Sequence, residues 1–405
     1  MMKRITTLLL TLIFISCQES AVEPDNTPDL RLLSAEEVQV TKGANEFAFH
    51  LFHKLQKGSP ENTFISPISI SMALAMVLNG AGEETQQSIL NTIDYDGYTA
   101  GEINTAYMDL TKFLLTLDRK VQMGIANSVW YNQGLTPHPE FSSVVRDFYD
   151  GEARSLDFAS TESKDVINGW VESKTNNRIK DLIENISTDE VMFIVNAIYF
   201  KGDWTWQFDK SKTRKASFTT IDNTLSEVDM MFSKGVTVGR ALLPGLQVID
   251  IPYGNGQFNF TVVLPDDPAK LDDIVSTISA DQVLAWASQS DSVTVELELP
   301  RFKMEWKNDL LKTLEDMGMQ KSGFPKLLVD PMPLEIGRVV HQTYLDVSEE
   351  GTEAAAATAV GIIRLSAPLQ PLRITIDRPF LFMIREKHTG AILFLGQLID
   401  PSKLN

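Results

Sequence analysis

The sequence holds a single cysteine, Cys17, in 405 residues. No disulfide can therefore form within the chain, and stability must come from packing, which a chain of this length can supply. Basic residues are scarce: 36 Lys and Arg stand against 54 Asp and Glu, for a net charge of −18. That balance disfavours a nucleic-acid partner, whose phosphates demand Lys and Arg, and unaided docking on anionic lipid. No apolar run reaches the ~20 residues that a membrane-spanning helix needs. The usual catalytic signatures are also missing. There is no Gly-x-Ser-x-Gly elbow, no phosphate loop and no His-Glu-x-x-His. Gly254-Asn255-Gly256 lacks the third glycine of a dinucleotide site and reads as a turn. His50 and His53 share one side of a helix without a third ligand nearby, so no metal and no cofactor is expected. An enzyme is disfavoured by these absences.

The N-terminus carries a targeting pattern. Lys3 and Arg4 precede the apolar stretch Ile5 to Ile15, followed by Ser16 and Cys17. The stretch is too short for a span and suits a cleaved signal over residues 1–16. Phe14-Ile15-Ser16-Cys17 resembles a bacterial lipobox, with Phe14 in place of the usual leucine. The resemblance implies lipidation of Cys17, and a place on a bacterial outer membrane or cell surface. A plain secretory signal with an incidental cysteine is the alternative. Residues 17–37 then read as a polar tether, leaving a single domain over 38–405.

Along that domain, apolar periodicity predicts a helix over Val40–Lys57, an almost wholly apolar buried helix over Ser69–Asn79 and an amphipathic helix over Glu102–Leu117. Met123–Tyr131 and Val191–Lys201 read as strands, the second deep in a sheet. Strands follow one another from Val236 to Leu264, with a hairpin at Tyr253-Gly254-Asn255-Gly256. Val293, Val295, Leu297 and Leu299 alternate with polar residues in a strand over Ser292–Phe302. A helix is expected over Asn308–Met319, and strands over Ile374–Gly396. Helices dominate early and strands late, so the class is α+β.

One segment fits none of these elements. Glu349-Glu350-Gly351-Thr352-Glu353-Ala354-Ala355-Ala356-Ala357-Thr358 runs into Ala359-Val360-Gly361-Ile362-Ile363-Arg364-Leu365-Ser366. Its first half is too small to anchor in a core. Its second half is oddly apolar for a loop and would be an aggregation hazard. A loop with two states resolves the conflict.

In this respect the segment resembles the reactive loop of the serpin family, and the resemblance extends over roughly residues 38–404. Asn62-Thr63-Phe64-Ile65-Ser66-Pro67-Ile68-Ser69, Val195-Asn196-Ala197-Ile198-Tyr199-Phe200-Lys201-Gly202-Asp203-Trp204, Asp377-Arg378-Pro379-Phe380-Leu381-Phe382 and Phe394-Leu395-Gly396-Gln397 match the family's motifs in order. The resemblance implies one domain of three β-sheets and eight or nine helices, with a reactive loop over about 349–373. It implies suicide inhibition: a protease cuts the loop, the acyl-enzyme forms, and the loop inserts into the main sheet as a new strand. It makes Glu349 the seventeenth residue before the cut, which falls at Leu365–Ser366; a cut after Arg364 is the alternative.

An inserting hinge must be small and uncharged on alternate positions. Thr352, Ala354, Ala356 and Thr358 satisfy this, Glu353 would face solvent, and no proline interrupts Thr352–Ala367. About 12 new ladder bonds would contribute on the order of 10 kcal/mol. By the same resemblance Ser66, Ser69, Asn196 and His341 form a polar shutter under the opening point of the sheet. Trp204 lies at the breach, where the loop first enters. Leu365 favours chymotrypsin-, subtilisin- or elastase-like serine proteases and Arg364 trypsin-like ones, with cysteine proteases left open. The protein is expected to be a monomer, touching membrane only through its lipid. The rival readings are a non-inhibitory carrier or chaperone of the same family, a hydrolase, and a purely structural surface lipoprotein.

Overall fold

The computed structural model describes residues 26–57, 61–95, 97–187, 190–352 and 371–404. Nine α-helices and fourteen strands fall among the described residues. The chain opens on α1 (Ala35–Gln56), β1 (Thr63–Ile65), α2 (Pro67–Leu78), α3 (Glu83–Thr92) and α4 (Ala100–Leu114). Then come β2 (Val121–Asn132), α5 (Pro139–Tyr149), β3 (Glu152–Leu156), α6 (Ser163–Lys174) and β4 (Met192–Asp203). The middle of the chain is β5 (Arg214–Thr219), β6 (Leu225–Leu243), β7 (Leu246–Pro252), β8 (Phe258–Pro265), α7 (Leu271–Thr277) and α8 (Ala280–Ser288). The last part holds β9 (Asp291–Asp309), α9 (Leu311–Asp316), β10 (Val340–Val347), β11 (Gly351–Thr352), β12 (Leu372–Thr375), β13 (Phe380–Glu386) and β14 (Ile392–Leu398).

Pairing divides the strands into three groups. The first runs β9–β10–β11–β4–β2–β3, with the second half of β9 on β10. The second is β5–β6–β9–β12 and the third β7–β8–β13–β14–β1. The two longest strands, β6 and β9, pass from one group into the next, so the groups form one continuous path of hydrogen-bonded strands. The α+β class, with nine helices among the described residues, is as the sequence implies.

The core centres on β13 and β14, in which every residue is buried. Apolar side chains on both faces require cover on both sides. Helix α2, buried along its whole length, supplies it by packing against β14 and β4. Pro67 at its first turn pre-sets the helical φ and removes a donor that would lack a partner there. The opposite face of β2 and β4 has a separate core, where Trp130, Phe193, Val195 and Ala197 pack under Trp170 and Val171 of α6.

Two expectations need correction. The helix expected over Asn308–Met319 is shorter: β9 continues through Asp309, and α9 spans only Leu311–Asp316. The period-two pattern does not stop at Phe302, because Met304 is also buried and Trp306 half-buried on the same face. Pairing with β10, from Val347↔Phe302 to Val340↔Asp309, holds this stretch extended. The first helix also starts earlier than the expected Val40. Ser34 caps α1 in a capping box with Glu37, which moves the helix start to Ala35. Arg31 pairs with the buried Glu37 carboxylate and offsets its desolvation.

Candidate functional site

The site lies where β4 faces β10. Strict alternation along β4 sends Val195 and Ala197 toward α6, and therefore sends Asn196 to the other face, toward α2. There the Ser69 hydroxyl donates to Asn196 Oδ1. Asn196 Nδ2 donates to Asn127 Oδ1 at 2.7 Å, and Asn127 Nδ2 to the Tyr149 carbonyl at 3.0 Å. Asn127 sits directly opposite Asn196 in the β2–β4 ladder. From β10, His341 Nε2 accepts the Ser66 backbone N–H at 3.0 Å, while the Ser66 hydroxyl donates to the Leu393 carbonyl at 2.7 Å. The four residues singled out in the sequence thus form two polar links from α2, one to each strand across the seam. Beneath them a small crevice of about 20 Å³ is walled by Ile70, Leu74, Val77 and Ile194.

His341 is fully buried, and burial lowers its pKa from an ordinary 6.5 to about 3. It is therefore neutral and, since Nε2 accepts, carries its proton on Nδ1. A histidine held neutral by the fold stabilises it fully above pH 6.5. That contribution is lost progressively as pH falls from 6.5 toward 3, at up to about 1.4 kcal/mol per pH unit. Thermal melts of the parent should fall across this window, and His341→Gln should remove the part of the slope that lies between pH 6.5 and 5. Parallel slopes would rule His341 out as its source.

At the other end of the seam lies the start of the segment expected to be the hinge. Gly351 pairs with Asp203 and Thr352 with Gly202 on β4, while Thr352 also pairs with Val347 on β10. Among the described residues, no ladder joins β4 to β10 except through these two residues. Gly351 adopts a φ of +154°, and a Cβ there would run into Gly202 and approach the Asp203 Cα at 2.7 Å, so only glycine fits. Thr352 is 1% exposed, and its hydroxyl lies 2.7 Å from the Tyr253 hydroxyl. Trp204 stacks on Tyr253 at 4.4 Å, and its indole N–H donates to the Ser348 carbonyl at 2.9 Å. The Phe208 and Trp204 amides donate to the Glu349 and Glu350 carbonyls. The Glu349 carboxylate accepts from the Thr213 hydroxyl at 2.7 Å, and Glu350 pairs with Lys210.

Trp204 and the start of the hinge, far apart in sequence, thus meet in one cluster. Tyr253 and Asn127 were not singled out in the sequence. Asn127 was legible as a polar residue on the inner face of a buried strand. Tyr253 was not, since a hairpin residue carries no sign of what it will stack on. Glu353, Ala354, Ala355, Ala356, Ala357 and Thr358, the bond candidates Arg364, Leu365 and Ser366, and Cys17 lie outside the described residues.

His50 and His53 do share a side of α1, but His50 pairs with Asp94 at 3.2 Å and His53 is partly buried. No group of three metal-ligating side chains occurs among the described residues. Nor is any helix among them long and apolar enough to cross a membrane.

The described strands therefore leave one seam of the main sheet without a direct ladder, and Gly351 and Thr352 stand at its head. The sequence model of the family described as Serpin (serine protease inhibitor) matches residues 42–401. Human Serpin B4 is 35% identical, over 89% of this chain and 99% of its own length. An uncharacterised serpin-like protein of Methanosarcina mazei is 32% identical, over 98% of this chain and 97% of its own. Among solved structures, the thermophilic serpin tengpin in its native state superposes with a TM-score of 0.81 at 26% identity, covering 91% of this chain and 95% of its own. Human thyroxine-binding globulin complexed with thyroxine gives 0.81 at 30% identity, covering 91% of this chain and 100% of its own. The chain belongs to the serpin family, a family of protease inhibitors rather than enzymes.

Proposed function

We propose that the protein is a suicide-substrate inhibitor of serine proteases. A protease would cut its loop at Leu365–Ser366, or after Arg364, and be trapped as the acyl-enzyme when the loop enters the β4–β10 seam. The observation that carries this reading is β11: Gly351 and Thr352 already occupy the head of the seam, and among the described residues the seam below them lacks a direct ladder. The inward-facing residues that would follow into it, Ala354, Ala356 and Thr358, are small, and no proline interrupts the segment up to Ala367. Insertion would give the facing backbone groups of β4 and β10 the partners that buried polar groups require. On β10 the buried oxygens Gln342 Oε1 and Asp346 Oδ1 also lack partners, which fits a strand held short of its lowest energy. We further propose a lipid anchor on Cys17 and an extracytoplasmic location, from the N-terminal pattern alone.

The test is a denaturing gel of the purified protein mixed with chymotrypsin or with trypsin. A band at the summed mass that survives boiling is the expected result. The protease that gives it chooses between Leu365 and Arg364, and sequencing the released fragment fixes the bond. A clipped chain beside fully active protease, with both enzymes and with subtilisin and elastase, would favour a non-inhibitory carrier instead.

A further inference from the structure

The segment ahead of α1 carries no role in the mechanism above, yet it is bound to the body at both ends. Asn26 Nδ2 donates to Asp118 Oδ1 at 2.8 Å, and the Arg119 backbone N–H donates to Asn26 Oδ1 at 2.9 Å. The Asn26 carbonyl accepts from Asn255 Nδ2 at 2.8 Å. Five residues on, Arg31 forks onto the Glu37 carboxylate, and its guanidinium lies 4.6 Å from the centre of the Phe113 ring. The Arg31 carbonyl accepts from His388 Nε2 at 2.7 Å.

The partners of Asn26 belong to the two sides of the seam. Asp118 and Arg119 form the turn that leads into β2, and β2 is hydrogen-bonded along its length to β4. With β3 and the overlying α6 they make one slab, with its own core. Asn255 tips the β7–β8 hairpin, and His388 lies in the β13–β14 turn, both on the strand groups that continue to β10 through β9. Any strand entering between β4 and β10 must shift the slab relative to the rest. Slab and hairpin also touch directly, since the Asn255 backbone N–H donates to Asp118 Oδ2 at 2.6 Å and its Nδ2 to the Leu117 carbonyl at 2.8 Å; Asn26 adds a third partner bonded to both. Gly254 donates to the Asp203 carbonyl at 2.8 Å, and Asp203 is the ladder partner of Gly351.

We infer that residues 26–34 act as a clasp that reinforces, through Asn26, the direct joint between the β2 turn and the β7–β8 hairpin, and so raises the barrier to opening of the β4–β10 seam. This rests on the insertion reading proposed above, but opening of the seam is measurable without any protease.

The experiment is hydrogen exchange of the peptides covering 198–204 and 348–352 in four proteins. These are a chain lacking residues 1–16, one lacking 1–25, one lacking 1–32, and Asn26→Ala in the first. The clasp predicts at least tenfold faster exchange when 1–32 are removed, a smaller acceleration for Asn26→Ala, and little change when only 1–25 are removed. Exchange unchanged in Asn26→Ala and in the 1–32 deletion would overturn it. So would acceleration already complete on removing 1–25. Should the longer deletion fail to fold, Asn26→Ala decides, because it leaves the Ser34 cap and the Arg31–Glu37 pair in place. Trapping of chymotrypsin by the 1–16 deletion, run alongside, reports on the insertion reading separately.

Discussion

Thr352→Arg is expected to turn the protein from an inhibitor into a substrate. Thr352 is the first hinge side chain to face the core, 1% exposed and hydrogen-bonded to Tyr253 beside the Trp204 ring. No carboxylate among the described residues is bonded to that hydroxyl, so a guanidinium in its place would be buried without a partner. An uncompensated buried charge costs roughly 3 kcal/mol or more, so the arginine should leave the head of the seam in the uncut protein, and insertion would then have to bury it again, slowing that step by on the order of 100-fold. Hydrolysis of the acyl-enzyme would then win. Chymotrypsin should still cut the loop, but the covalent band should vanish and the protease should regain full activity. Thr352→Ser, which keeps the hydroxyl, should continue to trap. If the arginine variant traps as well as the parent, insertion does not begin at β11.

Asn196→Ala should produce the largest loss of stability of any single change at the seam. Asn196 accepts from Ser69 and donates to Asn127, so truncation leaves two buried polar groups unpaired at once. Each costs about 1–3 kcal/mol, and the low dielectric around the network raises the stake. A total of roughly 2–6 kcal/mol should lower the melting temperature of a domain this large by about 3–8 °C. The effect is also kinetic, because α2 loses its polar link to β4 while keeping its link to β10 through Ser66 and His341. Oligomers should accumulate on a native gel during incubation well below the melt. A variant that melts within a degree of the parent and stays monomeric would show that the network is not what holds the seam closed.

Much of this was legible in residue order. The buried helix α2 and the strands β2 and β4 follow from apolar periods of 3.6 and 2, and the β7–β8 hairpin from Gly254 and Gly256. The extended end of β9 was not, because Asn308 and Asp309 are polar and the pairing that holds them comes from β10, some thirty residues later. The early start of α1 was written in Ser34 and Glu37. It was hidden by the acidic stretch around them, which reads as tether until Arg31 folds back onto Glu37.

The candidate site divides in the same way. Local chemistry is enough to place Ser66 at the head of a helix, Asn196 on the inner face of a strand and a chain of small residues after Gly351. Such properties depend on neighbours in sequence, and periodicity reports them. That Asn127 extends the Ser69–Asn196 polar network, that Tyr253 lies between Trp204 and Thr352, and that Asn26 bonds both the hairpin and the β2 turn depend on residues tens to hundreds of positions apart. Those contacts form only when separate strands are brought into register. By itself the sequence determined the elements, the family and the composition of the loop. Only the tertiary structure decided where the sheet is left unpaired, because the partner of each backbone hydrogen bond is set by how distant strands align.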